Sequence, residues 1–136
     1  MRTVIDRNPV YGCCMDYKLE LIAIPVSDVD RAKAFYTDAA GFVADHDHTV
    51  SEEIRFVQLT PPGSACSIAL GKGIVGTPPG SAQGLQMVVS DVRAARAELV
   101  GRGVEVSEVE EFPWGSFVHF SDPDGNGWSL QQLPRQ

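Results

Sequence analysis

Ser27-Asp28-Val29 opens an Ala-rich stretch that closes at Gly41-Phe42-Val43, and Ser90-Asp91-Val92 opens another that closes at Gly103-Val104-Glu105. These two passages, sixty-three residues apart, decide the fold. Each follows an apolar, strand-like run, Leu19 to Val26 in the first case and Leu85 to Val89 in the second, and each leads into further strand-like segments. A repeat of this size reads as one βαβββ unit duplicated and fused. Ser27 or Asp28 suits a helix N-cap, accepting from the first free backbone N–H groups. Val29, Ala32, Phe35, Tyr36 and Ala39 then recur at helical spacing, with Gly41 as the C-terminal stop.

Outward from the repeat, strands are predicted at Ile54 to Leu59 and Cys66 to Leu70, turned by Pro61-Pro62-Gly63. In the second copy a strand at 85–89 precedes a helix from Asp91 to Arg102. Strands at 104–109, Ser116 to Phe120 and Trp128 to Leu133 follow. Asp122-Pro123-Asp124-Gly125-Asn126-Gly127 joins the last two, built from residues that preset φ or accept positive φ. The result is α+β, eight strands and two main helices, with mostly antiparallel pairing. Residues 1–16 read as an extension and 17–136 as one domain. Its first module covers about 17–72, its linker about 73–83 and its second module about 84–133.

Composition bounds the function. The chain has 136 residues, 43% hydrophobic and 21% charged, with a formal net charge of -7. That size supports a sizeable core, and the acidic balance argues against nucleic acid, which needs a basic footprint. No apolar run approaches the ~18 residues of a membrane span, and the N-terminus lacks a signal-peptide pattern. No membrane partner and a cytoplasmic location are therefore expected. Cys13, Cys14 and Cys66 show no metal-ligand spacing. Cys66 is expected as a small buried hydrophobe.

Pro25-Val26-Ser27-Asp28 with Phe35-Tyr36 and Gly41-Phe42, then Ser90-Asp91-Val92, then Phe120-Ser121-Asp122-Pro123-Asp124-Gly125-Asn126, resemble the vicinal oxygen chelate superfamily. This group is also called the glyoxalase/bleomycin-resistance/dioxygenase superfamily, and the resemblance runs from about residue 17 to 133. It implies two paired modules whose mixed, mostly antiparallel sheets curl around a cup, commonly in a homodimer. It also implies a metal site in that cup, with one ligand on each of four strands. Carried over, those places fall on Leu21, Gln58, Leu85 and Ser129. Two leucines cannot ligate, and Gln58 and Ser129 lack the charge that holds a divalent ion, so no metal and no cofactor are expected.

What remains is a pocket. Leu21, Phe56, Leu85 and Met87 are expected to floor it, with Gln58, Ser129 and Gln131 as sparse polar points. Phe117 shares a strand face with His119. His119 reads as a strand histidine bonded to a neighbour, as a ligand contact, or as a general acid or base. Trp114 reads either as an aromatic lid or as surface packing. His46 and His48, alternating with Asp45 and Asp47, read as a solvated edge or as a metal pair. Tyr36 and Trp128 are assigned to the core, and Glu108-Val109-Glu110-Glu111 reads as a solvated strand end or as an attractor for a basic ligand at the cup mouth.

Three functions follow, in order. The first is a metal-free small-molecule binding protein of the bleomycin-resistance type, holding an amphiphilic or aromatic ligand such as an antibiotic or secondary metabolite. The second is a metal-independent lyase- or isomerase-type enzyme using His119. The third is a metal-dependent glyoxalase- or dioxygenase-type enzyme with ligands from His46, His48 or Glu20.

Overall fold

The computed structural model describes residues 16–134. The N-terminal extension, with Cys13 and Cys14, therefore lies outside the described residues except for Asp16. The first module runs β1 (Leu21–Ala23), α1 (Val29–Ala34), a π-helical turn (Phe35–Ala39), β2 (Val43–Thr49), β3 (Arg55–Thr60) and β4 (Ser67–Lys72). The second runs β5 (Leu85–Val88), α2 (Val92–Gly101), β6 (Glu110–Phe112), β7 (Gly115–Ser121) and β8 (Gly127–Gln132). Each module forms its own four-stranded sheet, ordered β1-β4-β3-β2 and β5-β8-β7-β6. In both, the strand before the helix lies parallel to the last strand of the module and the other pairs are antiparallel. The chain is thus α+β, two tandem copies of one topology, and no described helix is long and apolar enough to cross a membrane.

The duplicated helix starts behave as their residues dictate. The Asp28 carboxylate accepts from the Arg31 backbone N–H, and that of Asp91 accepts from Arg93 and Ala94. Gly41 takes a φ of +80°, the left-handed stop that a side chain disfavours. The first helix departs from the expected single α-helix after Ala34. Thr37 Oγ1 donates to the Lys33 carbonyl at 2.9 Å, and the Ala40 N–H reaches back to Phe35 O. A hydroxyl that occupies a helix carbonyl competes with the regular ladder, and the turn widens.

Alternation assigns the faces. Val57, Leu59, Ile68 and Leu70 of the first sheet and Val118, Phe120, Trp128 and Leu130 of the second are buried. With Tyr36, Phe42, Val92 and Leu99 they form one core shared by both modules. The opposite face of each sheet is open. The strand expected at 104–109 is displaced to 110–112. The Arg96 guanidinium of α2 takes the carbonyls of Val106 and Ser107 at 3.3 and 2.7 Å, removing acceptors that a ladder would use. Cys66, expected as a buried hydrophobe, sits just before β4 and is only half-buried.

The two modules are joined by a buried polar cluster. Tyr36 is fully buried, and its hydroxyl donates to Asp122 Oδ2 at 2.8 Å while accepting from Trp128 Nε1 at 2.9 Å. Asn126 Nδ2 donates both to Asp122 Oδ2 and to the Pro25 carbonyl of the other module, each at 2.8 Å. Burial first, then the neighbouring Asp122 charge, pushes the Tyr36 phenol far above its ordinary range, so it stays a neutral donor.

Tyr36→Phe removes the atom that satisfies both Asp122 and the Trp128 N–H. It should lower unfolding free energy by about 1–3 kcal/mol, read from the denaturant midpoint; an unchanged midpoint would show that the bridge contributes nothing. A second expectation concerns pH. Asp47 of β2 accepts from Arg55 and from Lys33, and these hydrogen bonds hold its carboxyl well below the usual range. Its folded pKa is depressed, so its contribution is fully present above the unfolded value of about 4 and is lost as pH falls below it. Asp47→Asn should flatten the acid limb of a stability–pH profile, and an acid limb as steep as the parent's would refute the assignment.

Candidate functional site

The open face of the second sheet is built by four short alternations. On β7, Phe117, His119 and Ser121 point away from the core-facing Val118 and Phe120. Pairing carries that face across the sheet. His119 stands opposite Ser129, Phe117 opposite both Gln131 and Glu110, Ser129 opposite Gln86, and Gln131 opposite Val88.

A polar row results. Ser129 Oγ lies 2.8 Å from His119 Nδ1, and Glu110 Oε1 lies 3.3 Å from Nε2. A carboxylate only accepts, so a neutral ring carries its hydrogen on Nε2, which donates to Glu110. Nδ1 is then the acceptor of the Ser129 hydroxyl. Ser107 fixes the backbone beneath: the His119 N–H donates to Ser107 Oγ and the Ser107 N–H to His119 O, both at 2.9 Å. Gln86 Nε2 donates to Gln131 Oε1 at 2.7 Å, and Gln131 Nε2 donates to the Trp114 carbonyl at 2.9 Å.

An aromatic patch adjoins the row. Phe112 and Trp114 stack with centroids 5.1 Å apart and planes 10° from parallel, and Phe112 meets Phe117 edge-on at 5.8 Å. Phe117 is covered, while Trp114 is 60% and Phe112 44% exposed. Gly115 allows this hairpin its close approach. Its φ is +146°, and a Cβ there would stand 2.8 Å from the Gln132 carbonyl. At the other end of the row a groove of about 760 Å³ is lined by His119, Ser121, Ser129, Gly84 and Gly127, with Glu105 to Ser107 as its wall.

The structure therefore brings together Trp114, Phe117, His119, Ser129 and Gln131. Leu21, Phe56 and Gln58 occupy the open face of the first sheet, and none is among the residues that line this groove. Leu85 and Met87 lie on the opposite face of this sheet from His119. Leu85 pairs with Trp128 and Met87 with Leu130, so both turn to the helix side and pack on the core. A one-residue difference in strand register exchanges the faces, and Gln86 and Val88 are the β5 residues that reach the open face. Phe112 escaped the sequence reading, and Glu110 was read only as part of an acidic run, because a strand of three residues shows almost no alternation. The alternation of Phe112 with Trp114 just before the His119 strand was the available signal.

His46 and His48 lie on the edge strand β2. A register shift at Asp45 sets them opposite Gln58 and Phe56 on the open face of the first sheet, their rings 5.7 Å apart. Asp47 turns the other way, to Arg55 and Lys33. Among the described residues no group of three His, Cys, Asp or Glu stands close enough to hold a metal ion. Of the four places where the resemblance puts metal ligands, Leu21, Gln58 and Ser129 lie on the open faces and Leu85 turns to the core. Neutral amide and hydroxyl donors beside a leucine do not fit a divalent cation.

Comparison with known proteins agrees with this architecture. The chain is similar to TnmS3 of Streptomyces sp. CB03234, described as an antibiotic binding protein, at 37% identity and a TM-score of 0.81, covering 89% of this chain and 99% of that one. It is similar to a glyoxalase/bleomycin resistance protein of the same organism at 39% identity and a TM-score of 0.76, covering 85% and 100%. It also matches the uncharacterized protein YetH of Bacillus subtilis (strain 168), 29% identical over 116 residues, 82% of this chain and 94% of that one. The profile of the Glyoxalase/Bleomycin resistance protein/Dioxygenase superfamily matches residues 18–130, and the chain belongs to that superfamily.

Proposed function

We propose that this chain is a small-molecule binding protein of the bleomycin-resistance type, holding an amphiphilic aromatic ligand of the antibiotic or secondary-metabolite kind without a metal. The observation that carries the reading is the open face of the second sheet. There an exposed, stacked Phe112–Trp114 pair adjoins a row of hydrogen-bonding side chains. A planar ligand gains dispersion and quadrupole contact on the aromatic pair, and the row of Gln86, Gln131, Ser129 and His119 orients its polar edge. The similarity to TnmS3 supports the same class of ligand.

The protein acts as a homodimer in this proposal. Val88, Phe112 and Trp114 on the second sheet and Leu21 on the first are apolar and exposed in the single chain. Exposed apolar side chains on both open faces favour a cover. A second copy that set its Leu21, Phe56 and Gln58 face against the His119 face would close the cup that one chain leaves open.

The test is a titration of the purified protein with bleomycin and with anilinonaphthalene sulfonate, followed by isothermal titration calorimetry so that parent and variants share one readout, together with sedimentation equilibrium. Saturable stoichiometric binding, ligand recovered intact and a dimer are expected. Trp114→Ala should weaken binding about tenfold, roughly 1.4 kcal/mol, and His119→Ala less. A Trp114→Ala affinity equal to the parent's would place the ligand elsewhere, and failure of every probe to bind would reject the reading.

A further inference from the structure

We propose that Ser129 is a nucleophile, with His119 as its general base and Glu110 as the residue that positions the base, and that the groove beside them takes carboxylic esters. The proposal rests on the binding face described above and adds chemistry to it. Ligands without an ester carbonyl over Ser129 are bound and released unchanged, and ligands with one are cleaved.

The geometry is that of an activated nucleophile. Ser129 Oγ and His119 Nδ1 are 2.8 Å apart, and the other ring nitrogen is 3.3 Å from the Glu110 carboxylate. Nucleophile, base and orienting acid in hydrogen-bond sequence are the signature of this chemistry wherever it occurs. Glu110 fixes the tautomer in which Nδ1 is free to accept the serine proton. All three come from adjacent strands of one sheet, and the His119 backbone is pinned on both its N–H and its carbonyl by Ser107. The row is half-exposed, with His119 and Glu110 side chains at 49% and 56%, so a substrate reaches it from the groove. Gly84 and Gly127 carry no side chains into the groove next to Ser129. Gln86, opposite Ser129, donates one amide N–H to Gln131. Its second N–H has no partner among the described residues.

The steps balance. As Ser129 Oγ bonds to the ester carbonyl carbon, its proton passes to His119 Nδ1, and the carbonyl oxygen takes the negative charge. The intermediate collapses, the bond to the alkoxy oxygen breaks, and that oxygen leaves as the alcohol with the proton from Nδ1. Water then attacks the acyl-serine, giving its proton to Nδ1. The bond to Oγ breaks, Oγ recovers the proton, and a carboxylic acid departs. Glu110 accepts the Nε2–H bond throughout and takes no proton in any step.

The experiment treats the full-length protein with a fluorophosphonate probe and with p-nitrophenyl butyrate. Expected are one phosphonyl adduct mapped to Ser129 by peptide mass spectrometry, and hydrolysis that falls by about 10² or more in Ser129→Ala and His119→Ala. Glu110→Gln should lower kcat at unchanged KM, with part of kcat restored by Glu110→Asp, which a merely structural role would not produce. Hydrolysis by Ser129→Ala at the parent's rate, or an unmodified Ser129 in the folded parent protein, would overturn the proposal. If the ester nevertheless quenches Trp114 fluorescence saturably without being cleaved, the nucleophile fails while the binding reading stands. Absence of both binding and cleavage overturns both.

Discussion

Asp122 carries a carboxylate that is almost wholly buried, and every lone pair it offers is met from within the chain. Its Oδ1 accepts from the backbone N–H groups of Asp124 and Asn126, while Oδ2 accepts from Tyr36 and from the Asn126 amide. Leaving that buried carboxylate unpaired would cost several kcal/mol, a large part of the modest net stability of a domain of this size. The turn, the first helix and the start of β8 are therefore held to one arrangement. Because Tyr36 also accepts from Trp128, the same cluster sets which side of β8 enters the core. With Trp128 and Leu130 inside, Ser129 and Gln131 must face out.

From that constraint the character of the site follows. Both sheets spend their apolar faces on a common core, so the faces that remain are the sparsely polar, partly aromatic ones. The second-sheet face is richer than an apolar pocket floor. Gln86 and Val88 replace the leucine and methionine that a different register would have placed there, and Glu110 supplies His119 with an acid partner. The side chains form one hydrogen-bonded row flanked by an aromatic platform. Such a surface can orient a ligand as well as bury it, and it needs no metal ion to do so.

Much of the fold was legible in the residues. The two Ser-Asp-Val passages marked both helix starts because an N-cap is a local contract between a side chain and the backbone three residues on. The Asp-Pro-Asp-Gly-Asn turn and Gly41 were legible for the same reason. The π-helical turn was not, since it depends on where the Thr37 hydroxyl settles. The strand read at 104–109 was lost to Arg96, a residue on another element whose reach no periodicity records.

Sequence by itself determined the duplication, the α+β class, the superfamily and the faces of β7 and β8, all of which rest on local spacing and on alternation anchored by a large aromatic residue. Only the tertiary structure decided which residues of β5 face outward and that Glu110 meets His119. Those outcomes depend on register between strands far apart in the chain, and register is fixed by how a whole core packs rather than by any one segment.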